Sequence, residues 1–561
     1  MKPSYWKKGF RYMRQHGVKA AMSRFLSPAM QQAAPGREED RDDGRTSSTP
    51  AAPEPAPVSW PGDYDSWTRA HVDPEDIEKR LSPEEVDLPD GWVLLADPLA
   101  QGLTYAPSVG RKVREAAAAH PESDFIYTDE DSFDAADGRY KAPVFKPDFS
   151  PDYLSDVNYI SHGVAVKKTL LSAVGGPDRS FGGAAYYDLI LRLTEQAKEI
   201  IHLPGALCHN RYGTNGFEHR RPEADMDDRI PENRYAESVF GLPDEDRENC
   251  RRAVEAHNLR CGIRARVTNG PRSGICSSLY EVEGNPLVSV IIPNKDHPED
   301  LEKCVRSVLE KSAYKNVEVV IVENNSEGEE IFSCYDRLQK NPAVRVVFYQ
   351  GGFNYSAINN FGVSKARGEY LLLLNNDTEM VEAGTIENML GRLQREDVGI
   401  VGAKLLYPDG AIQHGGVIVG LGGAAAHAFT GFPGDSEGYL SRLSAATDLS
   451  AVTAACLMVK RKVWDEVHGL REDLAVAFND IDFCLRVRQT GRLVVLEPHA
   501  VLTHYESRSR GSDDSSPEKR MRFDREISLF ASTWRNFILD PGDPYYNPFL
   551  STGVTDFSLR P

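Results

Sequence analysis

Between residues 287 and 374 the chain alternates short, unbroken apolar runs with stretches of helical spacing. Residues 287–293, LVSVIIP, are continuous, β-branched and closed by a proline, the pattern of a strand buried on both faces. Val317–Glu323 (VEVVIVE), Val344–Phe348 and Tyr370–Leu374 repeat that pattern. Residues 298–310, 331–338 and 355–366 fall between these runs and carry helical periodicity. Such alternation predicts an α/β domain built on a doubly wound parallel sheet. Ligands of these sheets sit beyond the carboxyl ends of the strands. Residues 294–296, 323–326 and 375–377 are therefore expected to line one crevice.

Ahead of this region the pattern is weaker. Residues 93–96 and 125–127 read as short strands, 111–119 and 187–195 as helices. Residues 217–284 read as a connector with a helix at 247–257. Residues 512–561 read as a C-terminal helix and tail. The ends of the chain differ in kind. Residues 1–27 hold Lys2, Lys7, Lys8, Arg11, Arg14, Lys19 and Arg24, no acid, and several aromatic side chains. A helix there would suit an anionic membrane surface or the protein's own acidic body, although Gly9 and Gly17 weaken the helix. Residues 28–59, rich in Pro, Ala, Ser and acids, cannot build a core and read as a disordered tether.

Composition narrows the field. At about 100–200 residues per domain, 561 residues allow two to four units. The formal net charge of −19 argues against nucleic acid as a partner. The eight cysteines are scattered and form no CxxC pair, which reads as a reduced, cytoplasmic protein. No run approaches the ~20 apolar residues needed to span a bilayer.

Three local signals could carry chemistry. In LLLLNNDTEM an apolar strand ends abruptly in Asn375, Asn376 and Asp377, oxygen ligands suited to Mg²⁺ or Mn²⁺. In AVAFNDIDFCLRVRQTG, Asp480 and Asp482 stand at a helix start, where a carboxylate could act as a general base. His414, in GAIQHGGVIVG, sits between glycines on a strand-like stretch, and His504 ends the strand-like stretch 493–503. Each has a plainer explanation when read alone: a polar turn, a helix cap, a hydrogen-bonded structural histidine.

Together they match a family. Residues 286–511 resemble family 2 of the inverting glycosyltransferases, which have the GT-A fold. The matching words are VSVIIPNKD, VEVVIVENNS, FNYSAINNFGVSKARGEYLLLLNNDTE, AIQHGGVIVG, SAVTAACLMVKR, AFNDIDFCLRVRQTG and THYESRSRG, in the family's order. The subgroup looks like bacterial enzymes that build O-antigens, rhamnans and related surface polysaccharides. The resemblance implies a catalytic domain over 285–511. In it Pro293, Asn294, Asp296, Glu323, Asn324, Asn325, Asn354, Asn359 and Asn376 line the nucleotide-sugar donor. Asp377, with Asn375 in place of the family's first acid, and His504 are the implied ligands of Mn²⁺ or Mg²⁺. Asn479-Asp480 matches the usual Glu-Asp pair, so Asp480 is the implied base, with Asp482 as fallback. His414 and Asn479 are weaker donor or acceptor contacts. The implied partners are a UDP- or dTDP-sugar and a glycan or lipid-linked glycan, at the inner face of the plasma membrane if residues 1–27 engage it.

Residues 60–216 resemble a broken second copy. DGWVLLADPLAQ looks like the strand and metal motif, but keeps Asp97 and has Leu99 at the second acid. Tyr186 stands where the base would be, and residues 60–89 are too few and too polar for nucleotide-binding strands. Asp129, Glu130 and Asp131 lie beyond the metal motif in this register. A partial, inactive GT-A-like unit is the expectation.

Overall fold

The computed structural model describes residues 64–95, 97, 102–136, 138–211, 246–271, 274–505, 516–539 and 542–560. The basic N-terminal segment, the tether and most of the polar stretch before residue 246 lie outside them. The described residues form two large sheets.

The second sheet starts with four parallel strands, β9 (Val288–Asn294), β10 (Val317–Glu323), β11 (Val344–Phe348) and β12 (Tyr370–Leu374), in spatial order β11-β10-β9-β12. Every residue of β10 is buried, because helices cover both faces. Helices Pro298–Arg306 and Glu329–Leu338 pack on one face, and Tyr355–Lys365 on the other. Gly362 lets that last helix approach closely, since a Cβ there would sit 2.5 Å from Ile291. The helix expected over 298–310 leaves α geometry at Arg306 and widens into a π turn, Ser307–Lys311. There the Ser307 hydroxyl donates to the Cys304 carbonyl and accepts the Met380 amide, tying the turn to the neighbouring strand.

Beyond β12 the sheet continues through β19 (Cys456–Lys460), β14 (Val398–Leu406), β20 (Leu493–His504) and β13 (Thr378–Met380), with β15 (Ile412–His414) on β14. The first sheet repeats the order of this part, except that the described residues hold no counterpart of the short strand Thr447–Asp448 that pairs with β20. Its members are β1 (Trp92–Leu94), β2 (Thr104–Tyr105), β3 (Phe125–Asp134), β4 (Arg139–Val144), β5 (Val164–Lys167) and β6 (Ile200–Arg211), in order β1-β5-β3-β6-β2 with β4 on β3. The senses agree as well. β3/β6 and β14/β20 are parallel. The pairs β1/β5, β3/β5, β2/β6 and β3/β4 are antiparallel, as are β12/β19, β14/β19, β13/β20 and β14/β15. Residues 64–91 hold helices Tyr64–His71 and Pro74–Glu78 and a 3₁₀ turn, so among the described residues the first sheet has nothing in the place of β9–β11.

β3 is longer than the three residues expected, because its acids are neutralised in place. Asp129 accepts from His202 (2.8 Å), the Lys146 and Gly205 amides (both 2.7 Å) and Asn547 (2.8 Å). Glu130 faces Lys146, His162 and Asn210, and Asp131 faces His209 and Tyr64. These acids hold structure rather than a metal.

One apolar core runs through both halves. Tyr127, Tyr153 and Ile190 share it with Ile412, Phe429, Leu443 and Phe557. Polar groups pin the seam. Arg392, 2 % exposed at its side chain, pairs with Asp152 and with Glu497 (2.7 Å), and Asp448 accepts from the Ser150 hydroxyl (2.7 Å) and the Asp152 amide (3.0 Å). Burial, with the Asp152 charge beside it, pushes the Asp448 carboxyl up to about 8. Burial likewise pushes Asp156 up to about 7, against the pull of Arg392. Both groups hold their proton more tightly folded than unfolded, so their stabilisation is complete below the ordinary carboxyl range and is lost as pH rises through about 7 to 8. The melting temperature should fall from about pH 6 to about pH 8.5, and Asp448→Asn should flatten the fall. A wild-type melting temperature that rises across this window would exclude the seam acids as its cause.

Candidate active site

The polar ends of β9, β10 and β12 meet in a continuous hydrogen-bonded row. The Asn376 amide donates to Asn294 Oδ1 (2.6 Å), and Asn294 Nδ2 donates to the Tyr335 hydroxyl (2.8 Å). Tyr335 in turn donates to Glu323, whose two oxygens also accept the Ser326 amide and hydroxyl (both 2.6 Å). The Asp296 amide donates to the Ser326 Oγ (2.7 Å), and Asp296 Oδ1 accepts the Glu327 amide (3.0 Å). Asn324 and Asn325 both hold the Gly351 carbonyl (2.9 Å each), and Pro293 sits in register with Val322. Of the expected donor residues, Asn354 caps the helix Tyr355–Lys365 through the Ala357 amide and ties down the Glu472 carbonyl, a structural task. Asn359 is buried, donates to the Tyr355 carbonyl and leaves its Oδ1 without a partner.

At the end of β12 the chain turns into β13, which pairs with β20 so that Thr378 faces His504. His504 Nε2 lies 3.1 Å from Asp377 Oδ1 and 3.4 Å from the Asn375 amide nitrogen. Asp377 and His504 are 7 % and 5 % exposed. Asn375 Oδ1 accepts the Tyr355 hydroxyl (3.2 Å), which also reaches the Ala454 carbonyl (3.1 Å). The Ala454 amide donates to Asp480 Oδ2 (3.1 Å). Asp480 and the Asn375–Asp377–His504 group are thus joined through Tyr355 and Ala454. The Asp377 carboxylate and the His504 imidazole are donors that suit Mn²⁺ or Mg²⁺, with the Asn375 amide beside them and its oxygen turned toward Tyr355.

Asp480 is half-buried at the start of the helix Asn479–Gln489, with Oδ1 accepting the Ile481 amide (2.9 Å). Asn479 is buried and accepts the Asp480 amide, so it works inside the turn. The turn needs Phe478 in the left-handed region, φ 62°, and a buried Glu526 from the C-terminal helix Pro517–Thr533 fixes it by accepting the Ala475 (3.1 Å) and Ala477 (2.8 Å) amides. Asp482 points elsewhere. It is fully buried and accepts from Arg486 (2.8 Å) and the Trp534 indole (2.9 Å). The first half carries the same device: Arg192 pairs with Asp188 (2.7 Å) and caps the Val174 and Gly176 carbonyls, as Arg486 caps those of Val467 and Gly469. An aspartate used alike in both halves is a clamp for the helix, which removes Asp482 as the fallback base. Counted back two residues from Asp188 and from Asp482, Tyr186 holds the same helix position as Asp480.

His414 is fully buried, 3.3 Å from His427, and burial together with His427 and His504 drives its basicity far down. It is a neutral packing group behind the site. In the first half, His162 fills the region between Asp97 (3.2 Å) and Glu130 (3.0 Å) and stacks on Tyr186. Burial opposes its charge, but Glu130 and Asp97 raise it to about 9, so a resident imidazolium occupies this region. Sequence reasoning missed Tyr335, Tyr355, Glu526 and Gln413, which reach the site across long stretches of chain.

Residues 289–417 match the sequence model of the glycosyl transferase family 2. That match and the sheet described above agree with the GT-A α/β class read from the sequence. The chain is 36 % identical over 461 residues to the O-antigen biosynthesis protein RfbC of Myxococcus xanthus, covering 82 % of this chain and 34 % of that one. It is 41 % identical over 446 residues to the uncharacterised protein y4gI of Sinorhizobium fredii, covering 79 % of this chain and 46 % of that one. The chain thus spans less than half the length of these curated relatives. Among solved structures it is similar to the mannosyltransferase PcManGT of Pyrobaculum calidifontis in complex with GDP-Man and Mn²⁺, at 14 % identity and a TM-score of 0.35, over 48 % of this chain and 69 % of that one. No helix among the described residues is long and apolar enough to cross a membrane.

Proposed function

We propose that this chain is an inverting glycosyltransferase that moves a sugar from a UDP- or dTDP-sugar to a glycan or lipid-linked glycan in bacterial surface-polysaccharide synthesis. The observation that carries the reading is the convergence of Asp377, His504 and Asp480 at the carboxyl ends of β12 and β20 and the start of one helix. The similarity to an O-antigen biosynthesis protein supports the pathway. Asn294, Glu323 and their Tyr335-centred row bind the nucleoside. Asp377 and His504, with Asn375 beside them, hold a divalent cation, whose chemistry is to offset the charge developing on the diphosphate. Asp480 is fixed by two amides, yet each oxygen keeps a lone pair for a proton. It accepts the proton of the acceptor hydroxyl as that oxygen attacks the anomeric carbon from the face opposite the diphosphate. Positioning and leaving-group stabilisation supply most of the acceleration.

The first half is read as a partial GT-A-like unit retired from catalysis. Its strand order supports the kinship. The lack of counterparts of β9–β11 among the described residues, Tyr186 at the helix position of Asp480 and the His162 imidazolium between Asp97 and Glu130 support the retirement. A panel of nucleotide sugars, incubated with the protein and Mn²⁺, should show slow hydrolysis of at least one UDP- or dTDP-sugar and none after chelation. Hydrolysis unaffected by chelation would refute the metal-dependent reading.

A further inference from the structure

We propose that Gln413 is a positioning residue that sets which nitrogen of His504 faces the cation site, an inference that rests on the metal reading above. The Gln413 side-chain oxygen lies 3.0 Å from His504 Nδ1, and Gln413 is 4 % exposed. Gln413 reaches His504 from β15, which is bound to β14, the neighbour of β20. A neutral imidazole has one N–H and one bare nitrogen. With the Gln413 oxygen accepting, the proton sits on Nδ1 and the lone pair of Nε2 is left facing Asp377 Oδ1 at 3.1 Å. Two lone pairs at that separation repel, and a cation held by both residues would relieve the conflict. A glutamine turned the other way would donate to Nδ1, move the proton to Nε2, and make the histidine a hydrogen-bond donor to Asp377 with nothing to offer a metal. Metal-bound histidines are commonly held by such an acceptor on the far nitrogen, and its loss typically costs about 10–100-fold in metal affinity.

The surroundings keep Gln413 in place. Its backbone carbonyl lies 3.2 Å from His427 Nδ1 and 3.4 Å from the Thr430 hydroxyl. His414, the next residue in the chain, is buried behind it. The pair Gln413–His504 therefore belongs to a packed layer rather than to a surface side chain free to rotate.

The test is Mn²⁺ binding to the full chain in the presence of UDP, read by electron paramagnetic resonance of free Mn²⁺, for wild type, Gln413→Met, Gln413→Glu and His504→Ala. Melting temperatures verify that each variant folds. Gln413→Met keeps the length and removes the acceptor, so the Mn²⁺ dissociation constant should rise about 10–100-fold. Gln413→Glu can only accept and should bind Mn²⁺ at least as well as wild type. His504→Ala should lose at least as much as the methionine variant. Wild-type affinity in Gln413→Met alongside loss in His504→Ala would overturn the role of Gln413 and leave the metal reading standing. Loss in Gln413→Glu as severe as in Gln413→Met would overturn it too, because the glutamine would then be acting as a donor. Unchanged affinity in His504→Ala would strike the metal reading itself. If Gln413→Met does not fold, Gln413→Glu and the milder Gln413→Leu are compared in the same way.

Discussion

Asp480→Asn should slow sugar transfer by ~10²–10⁴-fold while donor binding survives, the usual contribution of a positioned general base. The substitution keeps the size of the side chain and the helix start. It replaces one of the two oxygens that accept the Ala454 and Ile481 amides, which costs some local stability but leaves the Asp377–His504 pair untouched. Single-turnover transfer, with nucleotide binding measured separately, distinguishes chemistry from affinity. Two companions sharpen the result. Asp482→Asn should weaken the clamp to Arg486 and Trp534 and lower the melting temperature, with a much smaller effect on the chemical step. Tyr186→Phe removes a buried hydroxyl that has no hydrogen-bond partner among the described residues, so transfer and stability should both stay close to wild type. Abolished turnover in Tyr186→Phe, with transfer retained in Asp480→Asn, would reverse the assignment of the active half.

Arg392→Met should destabilise the protein by about 3–5 kcal/mol, the usual consequence of removing one partner from a buried ion pair. The guanidinium is buried between Asp152 of the first half and Glu497 of the second, and also donates to the Ser278 carbonyl (3.3 Å). Its loss leaves two carboxylates in the seam. Asp152 keeps Arg395 at 2.6 Å, and Glu497 keeps only the His499 amide (3.1 Å) among its partners seen here. Arg395 is more exposed, and Arg395→Met should cost clearly less. Equilibrium urea unfolding provides the comparison. An Arg392→Met curve superimposable on wild type would mean that the seam does not depend on this pair.

The seam also shows where the sequence stopped being readable. β10 and β12 were legible because both their faces are buried, so β12 is one apolar run ending in polar residues and β10 is broken only by the buried Glu318. Asn375, Asp377 and Glu323 were legible for the same reason, at or just past the abrupt end of such a run, whereas His504 closes a mixed strand that also holds Glu497, Pro498, His499 and Thr503. β3 was not, because its acids are paired with His202, His162, His209 and Lys146, whose positions no local pattern reveals. The hairpin Ala265–Asn269 and Cys276–Tyr280 was missed for lack of apolar alternation: its strands are short and largely polar. The clamp role of Asp482 rests on contacts distant in sequence, with Arg486 capping the Val467 and Gly469 carbonyls as Arg192 caps those of Val174 and Gly176. Gln413, Tyr335 and Glu526 act across 91, 41 and about 50 residues of chain, distances at which spacing carries no information.

The most direct test of the central claim is calorimetric titration of UDP and dTDP into the full chain with and without Mn²⁺, for wild type and Asp377→Ala. The account predicts that Mn²⁺ strengthens binding of one of these nucleotides to wild type, with one ion per chain, and that Asp377→Ala removes the enhancement while the protein stays folded. Metal-enhanced binding of equal strength in Asp377→Ala would contradict it.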